Sequence, residues 1–285
     1  MTWIILQATA GRHNNLMTTH SQQRKILLPL DGAKRSESIL PYMEKFAQAY
    51  QAHLELLHVI DPLAFTGDAP TRNEHERVDE ARKYLRRLRH ECTDISVGTI
   101  CGLGPVVEVI RERAVKERFD LIAFAPRGHS GLKRWLYGSV AESVVREAPC
   151  PVLLIRGETH VCFRHVLMPI AEDDDLDRLF QGTQAYLKPE TRLTLLHCCG
   201  NKPVHGEFRA RLSHLVEQRH NTYFFASESK APQGILDFAL DSECDLIAMS
   251  THGLGGLHHL WKGSVMEQVG RHAPCPVLVF PPQTD

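Results

Sequence analysis

The chain has 285 residues, of which 43% are hydrophobic and 24% charged, and a formal net charge of −1. That length accommodates two domains of ordinary size, each able to bury its own core, and the near-neutral balance gives no electrostatic case for nucleic acid, whose binding needs a clustered basic surface. No apolar run approaches the roughly 20 residues that cross a bilayer, and the first residues lack the basic start of an export signal. A cytoplasmic protein with no membrane and no nucleic-acid partner is therefore expected.

Residues 1–23 read as an N-terminal tail, with Met17 as an alternative start. Lys25–Asp31 is a short apolar run of the kind that forms a central parallel strand, and Gly32 and Ser36 end it and open a helix. The apolar residues of that helix, Ile39, Leu40, Met43, Phe46, Ala47 and Tyr50, fall at helical spacing. His53–Val59 is a second strand, followed by a linker holding Pro62, Gly67 and Pro70. The spacing predicts a charged helix over Glu74–Glu91 with one narrow stripe of Val78, Ala81, Leu85, Leu88 and Cys92; its outer charges are mixed in sign, as on a solvated face. Ile95–Ile100 reads as a third strand, Gly102 and Gly104 as a turn, and Pro105–Lys116 as a helix.

Leu121–Phe124 is apolar throughout, as in a strand buried on both faces. A glycine-rich stretch follows. Ser139 and Glu142 then have the spacing of a capping box, in which the serine oxygen accepts from a backbone amide of the new helix and the glutamate reaches back. Pro149 stops that helix, because proline cannot continue the amide ladder and biases its predecessor to extended geometry. Pro151–Ile155 is the next strand. Strand and helix alternate five times, which implies a parallel sheet covered on both faces.

The whole pattern then recurs. Ala114–Ile155 aligns without a gap to Ala239–Phe280, with 20 identities in 42 positions, so this is one unit copied at an offset of 125. Val166–Ile170 answers Ile26–Leu30 and Leu193–His197 answers Leu54–His58, at offsets of 140 and 139. The second copy has lost 14 residues between its second strand and third helix. The boundaries are residues 24–156 for the first domain, 157–162 for the linker and 163–281 for the second domain.

Eight cysteines fall in no disulfide framework, and without an export signal they are expected to be reduced and buried. Cys150 and Cys275 hold the same place in both copies, as small core residues at the start of a strand; Cys198 and Cys199 are adjacent but lack CxxC spacing. The seventeen histidines, including His252, His258 and His259, match no zinc-site spacing and read as solvated loop residues. No metal site is predicted.

In an open parallel sheet, ligands sit beyond the carboxyl ends of the strands where the strand order reverses. Asp31 ends the first strand and Gly128 follows the fourth, so the two are expected to face each other there. Backbone amides at the glycine turn and at the helix start near Gly138, Ser139 and Val140 suit phosphate oxygens, helped by the helix dipole, and the Asp31 carboxylate suits ribose hydroxyls. The same glycine and serine also serve any capped helix after a tight turn, so a purely structural role stands beside the nucleotide one. Neither GxxxxGK[ST] nor GxGxxG after a strand is present, and no acid, base and nucleophile set is arranged for turnover; no enzymatic activity is expected.

Pro29-Leu-Asp31, Leu56-Leu-His-Val59, Asp120-Leu-Ile-Ala123, Gly128 with nine residues before Gly138-Ser139, and the APCPVL of Ala148–Leu153 together resemble the universal stress protein family. The second half repeats nearly all of them, so the chain resembles a tandem member over residues 24–281. The resemblance implies two Rossmann-like domains of the adenine nucleotide alpha hydrolase-like kind, each an α/β unit with a five-stranded parallel sheet and helices on both faces. It also implies a non-enzymatic stress role and, in one branch, ATP binding.

Carried over from ATP-binding members, the site residues are Gly128, Gly138, Ser139 and Val140, with Asp31 for the ribose and the Val59 backbone for adenine. The first glycine of their motif is replaced by Ala125, followed by Pro126. In the second domain Gly253, Gly263 and Ser264 remain, but Ser250 replaces the first glycine and Ala171 stands where Asp31 does. Asp173, Asp174 and Asp175 follow as candidate substitutes whose charge would repel a triphosphate, so a weaker second site or none is expected. A family branch with degenerate loops implies the alternative, a nucleotide-free interaction module acting through protein partners. Val152–Ile155 and Val277–Phe280 would leave open sheet edges, and the resemblance implies that the two halves pair through them, with a further homodimer as an option.

Overall fold

Five apolar runs of the first half pair side by side to form its core. The computed structural model describes residues 6–7, 23–62, 74–125, 139–155, 161–200, 204–251 and 265–281. The chain divides into two compact units at the Ile155–Arg156 boundary, and the N-terminal segment belongs to the later one. In chain order, β1 (Leu6–Gln7) is part of the second unit; the first contains β2 (Lys25–Pro29), α1 (Lys34–Glu37), α2 (Leu40–Ala49), β3 (His53–Ile60), α3 (Glu74–Glu91), β4 (Val97–Leu103), α4 (Val106–Lys116), β5 (Leu121–Phe124), α5 (Ser139–Glu147) and β6 (Val152–Leu154).

In this first domain β2 pairs in parallel with β3 on one side and β5 on the other, β3 with β4, and β5 with β6. The chain thus runs outward through β2, β3 and β4, then returns across β2 to lay down β5 and β6. Right-handed crossovers place α2 and α3 on one face and α4 and α5 on the other. Consistent with this, α3 packs on β3 and β4, and α4 packs against α5. Leu27, Leu28, Leu54, Leu56, Leu57 and Ile122 are fully covered, as expected of strands sandwiched between two helical layers.

Two boundaries differ from expectation. The predicted helix from Ser36 to Tyr50 is two helices, with Pro41 in the first turn of α2; proline is tolerated there because that amide needs no intrahelical partner. The third strand starts two residues late and runs through Gly102 instead of turning there. Its register with β3, Val59 level with Gly102, holds it extended, and a Cβ at Gly102 would come within 2.6 Å of Val109 Cγ1 on α4. Glycine serves there for close helix approach.

The second domain repeats the plan with β7 (His165–Pro169), α6 (Leu176–Gln184), β8 (Arg192–Cys198), α7 (Gly206–Gln218), β9 (Thr222–Ser227), α8 (Gln233–Asp241), β10 (Leu246–Ser250), α9 (Val265–His272) and β11 (Val277–Phe280). Here β7 lies between β8 and β10, β9 flanks β8 and β11 flanks β10, all parallel. Part of the deletion read from the offsets falls in the helix after the second strand, 13 residues in α7 against 18 in α3. Part of the segment read as a tail is structured: β1 pairs antiparallel with β9, Leu6 with Phe224 and Gln7 with Tyr223.

No helix among the described residues is long and apolar enough to cross a membrane. All eight cysteines are free, but only Cys150, Cys244 and Cys275 are buried; Cys162 is exposed and the others are half-covered.

Candidate functional site

Because β2 and β5 are neighbours, with Ile26 level with Leu121 and Leu27 with Ile122, the strand order of the first domain reverses between them. Asp31 follows β2 and Ala125 follows β5, so both emerge at the carboxyl edge of this switch point. Asp31 is exposed, and its Oδ1 accepts from the Ala33 amide at 3.1 Å. Between them Gly32 has φ +81°, a left-handed conformation that L side chains adopt only under strain. The α5 helix starts at the same edge, since a crossover helix runs antiparallel to its strands.

Ser139 is the first helical residue of α5 and is exposed, and Val140 is half-buried. The predicted capping box of Ser139 with Glu142 depends on the turn that leads into α5, which lies outside the described residues. Val59 lies on β3, half-buried. Gly128 and Gly138 lie outside the described residues, as do Gly253, Gly263, Ser264, His252, His258 and His259.

Two features that sequence reasoning quoted only as motif letters turn out to fix this edge. His58 Nδ1 donates to the Leu30 carbonyl at 2.7 Å, and in the second domain His197 Nδ1 donates to the Ile170 carbonyl at 3.1 Å. Each ring also meets an aromatic edge-on, His58 with Tyr84 at 5.3 Å and His197 with Phe208 at 5.0 Å. The histidine of each copy thus ties the second strand to the end of the first, immediately before the switch-point loop. Their equal placement in the repeat was the signal that could have revealed them.

At the opposite edge, Asp120 Oδ2 accepts from the Lys25 amide at 2.8 Å, and Asp245 Oδ2 accepts from the amides of Arg164 and His165 at 2.7 and 2.9 Å. These aspartates pin the two central strands together at their starts, far from any ligand edge.

The crevice of the second domain is built differently. Ala171 follows β7 at the place of Asp31 and carries no acceptor. The chain turns, and Asp174 folds back into the switch point with only 4% of its surface exposed. Its Oδ2 accepts from the Ala171 amide at 2.6 Å, and its Oδ1 accepts from Ser250 Oγ at 2.7 Å, across from the end of β10. Arg211 of α7 holds the turn from outside, donating to the carbonyls of Asp174 and Glu172 at 3.1 and 3.4 Å. Asp175 caps α6 through the Arg178 amide at 3.2 Å.

The expectation of three aspartates presenting charge to a ligand is therefore corrected: one is buried and bonded, and one is a helix cap. Burial pushes the Asp174 carboxyl from 3.8 up to about 6, with Asp173 adding to the rise and Ser250, Ala171 and Arg211 opposing it. Nearby, burial, with Cys199 adding to the rise, pushes the Cys198 thiol up to about 12, which disfavours its thiolate at neutral pH.

Two open parallel α/β sheets, each with a switch-point crevice at its carboxyl edge, define a duplicated Rossmann-like protein. The universal stress protein family model matches residues 23–156 and 210–281; the chain belongs to the universal stress protein family and is a tandem member of it. A universal stress protein of Methanocaldococcus jannaschii is 29% identical over 140 residues, covering 47% of this chain and 82% of that protein. Universal stress protein A homolog 1 of Coxiella burnetii is 32% identical over 138 residues, 46% of this chain and 95% of that protein. Each relative thus spans about half of this chain. In fold, the chain is similar to the crystal structure of a universal stress protein from Archaeoglobus fulgidus, with a TM-score of 0.72, 23% identity, and coverage of 90% of this chain and 98% of that one. The second family match begins at residue 210, past the turn that carries Ala171 and Asp174.

Proposed function

We propose that the protein is a non-enzymatic cytoplasmic stress-response factor whose first domain binds ATP or a related adenine nucleotide and signals through occupancy. The observation that carries the reading is the pairing of β2 with β5, which brings Asp31 and the start of α5 to one switch-point edge. There the Asp31 carboxylate accepts from ribose hydroxyls, the Val59 backbone meets the base, and the amides leading into Ser139 and Val140 receive phosphate oxygens under the helix dipole.

Equilibrium dialysis with ATP tests this. The unmutated protein is expected to bind, and Asp31→Ala and Gly138→Val to lose most of that binding; no binding by the unmutated protein ends the proposal. Phosphate release above background at stoichiometric protein would overturn the non-enzymatic part.

A second reading, an interaction module without nucleotide, is favoured by Ala125, whose methyl stands at the end of β5 where ATP-binding members have glycine. Adenine nucleotide retained by protein purified without added ligand would exclude it. In either reading, the two family regions and their two terminal strands support pairing of the halves as the interaction these domains provide.

A further inference from the structure

The two switch points differ in one feature that sequence alignment alone does not expose. In the first domain the carboxylate at the crevice is Asp31, exposed at the strand end. In the second, the carboxylate arrives three residues later, is buried, and bridges the two strands that bound the crevice through the Ala171 amide and the Ser250 hydroxyl. Those are the kinds of donor, a strand-end amide and a hydroxyl beside the crevice, that an incoming anion would otherwise engage.

We propose that Asp174 is a built-in occupant of the second crevice, a side chain that takes the anion's place and makes the second domain refuse nucleotide, so that the chain holds one nucleotide and not two. The residue thereby decides which domain is the receptor. Ser250 is its positioning partner. Where an ATP-binding domain keeps a glycine, the serine supplies the hydroxyl that fixes the carboxylate, and Arg211 holds the turn behind it through two carbonyls. Among the described residues, the groups that act on the carboxyl are the Ala171 amide on its own turn, Ser250 from β10, Arg211 from α7 and the like charge of Asp173. An anion entering the crevice would have to displace a bonded carboxylate and meet its charge.

The count of one rests on the nucleotide reading of the first domain; the plug itself does not. ATP bound per chain is measured by equilibrium dialysis on the full-length protein, Ala171→Asp, Ala171→Asp combined with Asp174→Ala, and that double variant combined with Asp31→Ala; Ala171→Asp restores to the second crevice the ribose acceptor that the first has in Asp31. One equivalent is expected for the unmutated protein and for Ala171→Asp, whose crevice is still plugged, two for the double variant, and one for the triple. If the unmutated protein binds none and the double variant binds one, the reading of the first domain falls and the plug stands. If folded Ala171→Asp already binds one more equivalent than the unmutated protein, or the folded double variant binds no more than it, the plug falls.

Should these variants fail to fold, the unmutated protein decides. The 13C resonance of the Asp174 carboxyl is expected to titrate near pH 6, as for a buried, bonded group. A midpoint near that of a surface aspartate, about 3.9, overturns the proposal.

Discussion

Asp120 and Asp245 hold equivalent places in the two copies, yet they differ in burial. Asp245 is buried and accepts two backbone amides, whereas Asp120 accepts the Lys25 amide at an exposed site. A buried donor left without its acceptor costs about 1–3 kcal/mol. Asp245→Ala is therefore expected to destabilise by about 2–4 kcal/mol and Asp120→Ala by about 1 kcal/mol or less, read from urea midpoints at unchanged m-value; equal losses would contradict this assignment.

Asp174 makes a pH-dependent prediction. Its folded value lies above its unfolded one, so its favourable contribution is present below about pH 3.8 and is lost as pH rises through about 6. Each tenfold change in proton affinity is worth about 1.4 kcal/mol, so the loss is on the order of 2–3 kcal/mol. Asp174→Asn lacks this slope, and its stability relative to the unmutated protein is expected to improve between pH 4 and pH 7 by that amount. His165 acts in the opposite sense. Burial holds its pKa below 6.5, so the stability associated with its neutral form is present at neutral pH and is lost as pH falls below 6.5. Comparing the variant with the unmutated protein cancels that contribution.

Among elements, β1 and β4 show how position changes a strand's needs. Within the second domain β9 lies outermost of the parallel strands, and β1 covers it from the antiparallel side; an uncovered strand offers a row of amides and carbonyls to other chains. Deleting residues 1–21 is expected to leave the circular dichroism of the protein nearly unchanged while raising its apparent mass in light scattering, and an unchanged mass would refute the role of β1 as a cover.

The element order was legible because each signal is local: alternating apolar runs, Pro149 and Pro274 after the helices, and the stripe of α3, of which Ala81, Leu85 and Leu88 are buried. Where local reasoning slipped, a distant partner had decided the outcome. Gly102 read as a turn, but pairing with β3 and the approach of Val109 keep it in a strand.

For the whole molecule, the two domains share a fold, and at the switch-point crevice they differ in the turn after the first strand, which carries Asp31 in one and Asp174 in the other. A nucleotide at 100 times its dissociation constant stabilises the state that binds it by about 2.7 kcal/mol. Hydrogen exchange with saturating ATP is therefore expected to slow in peptides covering residues 23–62 and 121–155 and to stay unchanged across residues 165–200 and 246–281. Protection in the second set would mean that its crevice accepts ligand.

The sequence by itself determined the duplication, the alternation of strands and helices and the family, since periodicity, turn residues and repeat spacing all act over a few residues or as whole-unit copies. Of the candidate site it supplied Asp31, Val59, Ser139 and Val140 as names on an edge, and it supplied three adjacent aspartates without distinguishing them. Only the tertiary structure decided that Asp174 is the one turned inward, because its partner Ser250 lies 76 residues away, and a hydrogen bond across that separation exists only once β7 and β10 have paired.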